Sequence, residues 1–341
     1  MSNKHIYIYS PSSAVRDKAA FRRGVARLKA LGHEVEVDEA ALSFHQRFAG
    51  DDATRLAAIG RAAASGADIA LIARGGYGLT RILDGVPFKK VAKAIERGTE
   101  FVGLSDFTAL QNALLAKTGA VTWAGPAVGE DFGAEAGPDD IMEACFDDLA
   151  SGQGEGTGWR MPVRDAGIKL KPVHDAVLWG GNLCVLTSLL GTPYFPAVDQ
   201  GVLFIEDINE HPYRIERMLE QLRMAGVLGR QRAIVFGQFT GMRKVPGYDR
   251  GFGLDTVIDR LRAQLRKVQV IAGLPFGHVP TKVLLPVGAK VELAADGRDV
   301  FMVWGHHPHG SARPHGHAHG HDHGHDHGHA HGDHADHGHA H

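Results

Sequence analysis

Short apolar runs and longer helical patterns alternate along the first 150 residues, and this alternation restricts the fold more than any other feature. The runs typical of strands lie at 6–9, 34–37, 69–73, 101–104 and 120–123. Helical patterns lie at 15–31, 53–65, 88–95, 107–117 and 139–149. A β-α-β-α order predicts a parallel sheet with helices on both faces. In such sheets the loops after the carboxyl ends of the strands form the functional site.

The pattern changes after residue 150. Four glycines lie within residues 151–158, a composition that disfavours regular structure and predicts an interdomain linker. One well-marked helix is predicted at 212–226, with Pro near its first turn and Gly at its end. The other runs are short and β-like, at 176–178, 202–205, 233–236, 282–285, 290–293 and 300–303. The sequence therefore predicts an α/β domain at 1–150 and a smaller β-rich domain at 159–304.

Residues 305–341 consist almost entirely of His, Gly, Asp and Ala, and they hold 16 of the 22 histidines. Because this composition cannot form a packed core, we expect the tail to be disordered without metal. Imidazoles at this density bind Zn²⁺, Ni²⁺ or Cu²⁺, for example at His317, His319, His321 and His323. A neutral low-complexity extension is the alternative. Nothing in the tail points to catalytic machinery.

The formal net charge of the chain is −2, and without the tail the two signs nearly balance. A near-neutral body gives no electrostatic basis for binding nucleic acid or an anionic membrane. The first residues run straight into a strand pattern, without the apolar segment and cleavage site of a secretory signal. No stretch approaches the roughly 20 apolar residues of a membrane span. We therefore expect a soluble, cytoplasmic protein with no nucleic-acid or membrane partner.

Ser105 lies where the strand pattern at 101–104 gives way to a helical pattern. A serine at such a turn is typical of a nucleophile elbow, which exposes the hydroxyl and points the next backbone N–H at a developing oxyanion. The segment Gly103-Leu104-Ser105-Asp106-Phe107 lacks the glycine that hydrolase elbows usually carry two positions after the serine. An ordinary helix N-cap is the alternative, which such a position also favours.

A glycine-rich loop, Arg74-Gly75-Gly76-Tyr77-Gly78, follows the strand pattern at 69–73. Its glycines let the backbone approach a ligand closely, and their N–H groups suit either phosphate or an oxyanion. The loop has neither the Lys-Ser/Thr ending of a P-loop nor the spacing of a dinucleotide fingerprint, so nucleotide binding is disfavoured. An ordinary glycine turn is the alternative.

A serine nucleophile needs a general base, and imidazole is the usual one at neutral pH. Only six histidines precede the tail, and His278 lies in a turn-rich segment of the kind that often presents functional side chains. Glu206 follows the apolar run at 202–205 and begins an acidic stretch, from which one carboxylate could orient the imidazole. A solvated acidic turn is the alternative for this stretch.

Several short motifs occur in a fixed order along the chain. They are RGGYG at 74–78, GLSD at 103–106, GGNL at 180–183, GTPY at 191–194, LFIEDI at 203–208, PYRIERML at 212–219 and GLPFGH at 273–278. In this order they resemble the LD-carboxypeptidase family of serine peptidases, over about residues 5–304. The family includes muramoyl-tetrapeptide carboxypeptidases and microcin C self-immunity peptidases.

The resemblance implies a Ser-His-Glu triad of Ser105, His278 and Glu206, which needs no cofactor for catalysis. It also implies a flavodoxin-like N-terminal domain and a β-rich C-terminal domain with the active site between them. Family members are typically homodimers, so we expect a homodimer here.

An oxyanion hole made of backbone N–H groups is also implied, and we place it at Gly76 and Asp106, with Gly75 as an alternative to Gly76. Arg74 and Tyr77 are candidates for contacts with the substrate, because they belong to the same loop. Arg74 in particular is a candidate for binding the terminal carboxylate.

The implied activity is release of the terminal D-Ala from a cytoplasmic murein tetrapeptide, in peptidoglycan recycling. A microcin C-type immunity peptidase, which cleaves peptidyl or aminoacyl nucleotides, is the alternative. Many relatives carry an aromatic residue where Leu104 stands and a histidine where Ala124 stands, and the second departure leaves the substrate open. A metal-binding protein with an inactive peptidase body is disfavoured, because all three triad candidates are retained.

Overall fold

Two β-sheets and their flanking helices make up residues 3–305, the part of the chain that a computed structural model describes. The strands are β1 His5–Tyr9, β2 Glu34–Val37, β3 Ile69–Ile72, β4 Glu100–Gly103, β5 Thr122–Ala124, β6 Gly156–Arg160, β7 Val173–Asn182, β8 Val202–Ile208, β9 Ala233–Thr240, β10 Gln269–Ala272, β11 Leu285–Val287, β12 Lys290–Asp296 and β13 Asp299–Val303. The helices are α1 Lys18–Ala30, α2 Asp52–Ala62, α3 Phe88–Glu96, α4 Thr108–Thr118, α5 Asp140–Ser151, α6 Leu183–Ser188, α7 Pro212–Met224 and α8 Leu254–Gln264. The elements predicted in the first 150 residues are all present, with ends that shift by a few residues.

The first sheet runs in the order β2-β1-β3-β4-β5 with these strands parallel, and β11 pairs antiparallel to β5 at one edge. This is the strand order of flavodoxin-like folds, so the predicted fold class is confirmed. The order reverses between β1 and β3, and ligands in such sheets bind beyond the carboxyl ends of the strands at that reversal. The glycine loop follows β3, and Ser105 follows the neighbouring β4.

The second sheet runs in the order β10-β9-β8-β7-β12-β13-β6. Strands β7 to β10 are parallel, whereas β12, β13 and β6 pair antiparallel. Asn182 ends β7, Glu206 lies near the end of β8, and His278 follows β10. The carboxyl ends of the parallel strands therefore bring these three positions to one edge of the sheet.

The prediction that residues 151–158 form a linker without regular structure is wrong at both ends. Helix α5 continues to Ser151, and β6 begins at Gly156. A Cβ at Gly156 would lie only 2.7 Å from the carbonyl oxygen of Met302 on β13. Glycine at this position therefore lets the edge strand β6 lie close to β13. From composition alone, a glycine needed for close strand packing cannot be distinguished from a glycine in a loop.

The strand predicted at 282–285 is displaced, because β11 begins at Leu285 and joins the first sheet through its pairing with β5. One hydrophobic cluster also continues through both sheets, from Tyr9 and Phe101 to Phe204 and Val291. None of the helices within residues 3–305 is long and apolar enough to cross a membrane. The predicted tail, with the histidines that we expect to bind metal, lies outside the described residues, apart from Gly305.

Candidate active site

Ser105 occupies a strained turn between β4 and α4. Its φ of +63° lies in the left-handed region, which residues other than glycine seldom adopt and which functional sites often retain. A 3₁₀ turn, Ser105–Phe107, follows and leads directly into α4. The N-cap interpretation is wrong, because Leu104 holds the N-cap position of the 3₁₀ turn and Phe107 holds that of α4. The backbone is that of a nucleophile elbow.

The glycine loop packs against this elbow. A Cβ at Gly75 would lie 2.7 Å from the Cβ of Ser105 and 3.1 Å from its Oγ, so a residue with a side chain would displace the serine. Neither the N–H of Gly75 nor that of Gly76 hydrogen-bonds to another residue of the described chain. The N–H of Asp106 is one of the first in its helical turn, where no acceptor within the turn is in reach. Within residues 3–305 these three N–H groups are therefore available as donors.

A cavity of about 350 Å³ opens beside Leu104 and His278. Its remaining walls are Glu130, Asp131, Ala134, Gly137, Asp139, Met142, Ile208, Val279, Pro280 and Lys282. Leu104 directly precedes Ser105, which is not itself one of the wall residues. No hydrogen bond joins Ser105 to His278 within residues 3–305. Such contacts are often long in free enzymes and shorten when substrate binds.

His278 is oriented by a fully buried carboxylate. Its Nδ1 lies 2.8 Å from Oε2 of Glu206, which assigns the proton to Nδ1 and leaves Nε2 as the basic nitrogen. Burial by itself lowers the pKa of His278. The hydrogen bond and charge of Glu206 and the charge of Glu130 outweigh burial, so the pKa lies above its usual value. The solvated-turn interpretation is therefore wrong for Glu206.

Asn182 hydrogen-bonds to both Glu206 and Asp207, and the sequence did not identify Asn182 or Asp207 as functional. Nδ2 of Asn182 donates to Oε1 of Glu206 at 3.1 Å and to Oδ1 of Asp207 at 3.0 Å. Burial and the adjacent charge of Glu206 raise the pKa of Asp207 to about 6. The register of β8 shifts between Ile205 and Asp207, and neighbouring carboxylates both reach Asn182. Strict strand alternation would send them to opposite faces.

A buried ion pair forms another part of the cavity wall. Nζ of Lys282 pairs with Oδ1 of Asp131, and both side chains are almost completely buried. Nearby, the hydroxyl of Thr281 donates to Asp139 at 2.6 Å. The sequence placed Lys282 in a strand and did not single it out. The one indication in the sequence that Lys282 has a specific role was its position directly before an apolar run.

Arg74 and Tyr77 do not line this cavity. Nη1 of Arg74 donates to the carbonyl of Ala14 at 3.2 Å, and its Nε lies 3.5 Å from Glu130, which does border the cavity. Tyr77 is 46% exposed and packs against Phe48. Their contacts with substrate stay predictions. Among the described residues, no group of three or more His, Cys, Asp or Glu side chains could hold a metal ion.

The comparison with known families decides the assignment. Residues 6–125 match the LD-carboxypeptidase N-terminal domain, and residues 175–293 match the LD-carboxypeptidase C-terminal domain. The chain belongs to the LD-carboxypeptidase family. The family inferred from the ordered motifs is thereby confirmed, and with it the class of the protein, a carboxypeptidase and hence a hydrolase.

Individual relatives agree with this assignment. The chain is 32% identical over 277 residues to the "probable murein peptide carboxypeptidase" of Bacillus subtilis, covering 78% of this chain and 81% of that protein. The structure of muramoyltetrapeptide carboxypeptidase from Oxalobacter formigenes is similar with a TM-score of 0.79 and 37% identity, over 89% of this chain and 99% of that one. The microcin C7 self-immunity protein MccF in complex with aspartyl sulfamoyl adenosine shares the fold, with a TM-score of 0.76 at 22% identity, over 89% and 97% of the two chains.

Ala124, where many relatives have histidine, is buried in β5 and paired with Leu285. It is not one of the residues that line the cavity beside His278.

Proposed function

We propose that the chain is a serine LD-carboxypeptidase that releases the terminal D-Ala from a murein tetrapeptide, with Ser105, His278 and Glu206 as its triad. One observation carries the proposal. Ser105, in its strained turn, directly follows Leu104, and Leu104 lines one cavity together with the imidazole that buried Glu206 holds. A half-buried serine in a strained turn and a histidine oriented by a buried acid support this assignment, because triads are recognised by geometry and role rather than by sequence position.

The proposed reaction begins when Oγ of Ser105 attacks the carbonyl carbon of the terminal peptide bond. Nε2 of His278 accepts the hydroxyl proton, and Glu206 stabilises the imidazolium. The N–H groups of Gly76 and Asp106 hold the negative oxygen of the tetrahedral intermediate. The C–N bond then breaks, His278 returns the proton to the amine of D-Ala, and an acyl-enzyme forms. Water, activated by the same imidazole, releases the shortened peptide and restores Ser105.

The cavity favours a peptide over a nucleotide as substrate. A nucleobase is commonly bound by stacking on an aromatic ring. No Phe, Tyr or Trp belongs to the wall residues given above, and Trp123, Trp159 and Trp179 are all buried in the core. The names of the relatives from Bacillus subtilis and Oxalobacter formigenes point to murein peptides as well. We place the activity in cytoplasmic recycling of murein fragments, the setting that such a substrate implies.

A substrate panel tests this proposal. The purified enzyme is incubated with murein tetrapeptides ending in D-Ala or L-Ala, with and without EDTA, and with an aminoacyl sulfamoyl-adenosine. We expect release of D-Ala only, unchanged by EDTA. Absence of D-Ala release would refute the proposal, and faster cleavage of the nucleotide would replace it with the immunity-peptidase alternative. Loss of activity with EDTA would bring a metal into the mechanism.

A further inference from the structure

Asp106 carries a carboxylate that is buried directly beside the nucleophile, with 1% exposure. Its Oδ2 accepts the hydroxyl of Ser12 at 2.5 Å and the N–H of Leu79 at 2.8 Å. The backbone of Gly78 also acts to lower the pKa of this carboxylate. Ser12 belongs to the loop after β1, whereas Gly78 and Leu79 end the loop after β3. One carboxylate thus joins both loops at the reversal of the first sheet to the elbow.

A buried guanidinium holds the same two loops through their carbonyl groups. Arg55 has no exposure, and its Nη1 donates to the carbonyl of Gly78 at 2.7 Å and to that of Pro11 at 3.5 Å. Asp106 therefore binds donors of the two loops and Arg55 binds acceptors. Burial raises the pKa of Asp106, and Ser12, Leu79 and the charge of Arg55 act in the opposite direction.

Ser13 fixes the middle of the glycine loop. Its Oγ accepts the N–H of Tyr77 at 2.9 Å and donates to the carbonyl of Tyr77 at 3.0 Å. The two free N–H groups at Gly75 and Gly76 lie between this anchor and strand β3. The position of these donors relative to Ser105 thus depends on a network whose buried charged members are Asp106 and Arg55.

We propose that Asp106 is a positioning residue, whose carboxylate sets the distance between the N–H groups of the glycine loop and Ser105. The proposal rests on the proposed function of Ser105 and extends it. Donors of an oxyanion hole are effective because they are fixed before charge develops. A more mobile loop therefore reduces the stabilisation of the transition state more than it reduces the binding of substrate. The imidazole and its acid are untouched, because Asp106 contacts neither of them.

Two variants test the proposal. Asp106→Asn keeps a carbonyl oxygen for the N–H of Leu79 but removes the charge, and Asp106→Ala removes every hydrogen bond of the side chain. We expect kcat for D-Ala release to fall about tenfold in the first and about 10² to 10³-fold in the second, since one oxyanion donor is worth about that much. KM and the acid limb of the pH profile should stay as in the wild type.

Asp38→Asn is the matched control, because Asp38 is a buried carboxylate of the same domain that accepts from Tyr7, Arg61 and the N–H of Ala40. It should destabilise the fold yet leave kcat per folded molecule unchanged. Equal kcat losses in Asp38→Asn and Asp106→Ala would overturn the proposal, as would a change in KM alone.

Amide hydrogen exchange provides a readout that does not need activity. Asp106→Ala should speed exchange at the hydrogen-bonded N–H groups of Leu79 and Tyr77, whereas Asp38→Asn should not. Unchanged exchange there refutes the positioning role even if the wild type proves inactive on murein peptides. Inactivity of the wild type with the expected exchange pattern would refute the substrate assignment alone.

Discussion

Substitution of Gly75 tests how closely the glycine loop packs against Ser105. The substitution Gly75→Ala adds one methyl group whose carbon would lie 2.7 Å from the Cβ of Ser105 and 3.1 Å from its Oγ. Normal carbon contacts are about 3.5–4.0 Å, so the serine or the loop must move by roughly 1 Å. Ser105 has little freedom to yield, because its backbone is held at φ +63° between β4 and the following turn. A displacement of this size costs about 10²-fold in rate.

The assay is steady-state D-Ala release, and the expected result is a fall of about 10²-fold in kcat with a smaller change in KM. Overpacking should also lower the free energy of unfolding by about 1–3 kcal/mol, which urea titration measures. Gly60→Ala is the matched control, because its nearest neighbour is Nζ of Lys90 at 3.8 Å and the site is within α2. It should raise stability by about 0.5–1 kcal/mol and leave kcat unchanged. Wild-type kcat in Gly75→Ala would refute the placement of the loop against Ser105.

Two further substitutions test the buried charges around the cavity. Glu206→Gln removes the hydrogen bond and charge that outweigh burial and raise the pKa of His278, so the acid limb of kcat/KM should move to lower pH. Its kcat should fall by about 10⁴-fold, as expected when the imidazole loses its orienting acid, and an acid limb that does not move would contradict the assignment. Lys282→Met leaves Asp131 buried without its partner and should lower the free energy of unfolding by about 3–5 kcal/mol in urea titrations. A loss below about 1 kcal/mol would show that the pair is open to solvent.

Local chemistry in the sequence was sufficient to predict the parallel sheet, the glycine loop and the position of Ser105. It could not choose between elbow and N-cap at Ser105, because that choice depends on a backbone angle that tertiary packing imposes. The glycines at 151–158 were misinterpreted for a related reason, since the strand at Gly156 exists only because β13 lies beside it.

Contacts between side chains that are far apart in the sequence could not be predicted from it. Lys282 and Asp131 are 151 positions apart, and nothing local to either shows that they form one ion pair. Asn182 belongs to the motif GGNL at 180–183, but its contacts with Glu206 and Asp207 depend on the register shift in β8. Periodicity predicts which face a strand residue occupies, and an irregularity of this kind removes that information.

Ser105 is the proposed nucleophile of this LD-carboxypeptidase. The most direct measurement compares D-Ala release from a murein tetrapeptide by wild type and Ser105→Ala at equal concentrations of folded enzyme. We predict release by the wild type and a loss of about 10⁶-fold in kcat for the variant, as expected when a triad loses its nucleophile. Release at a rate near that of the wild type by Ser105→Ala would contradict the claim.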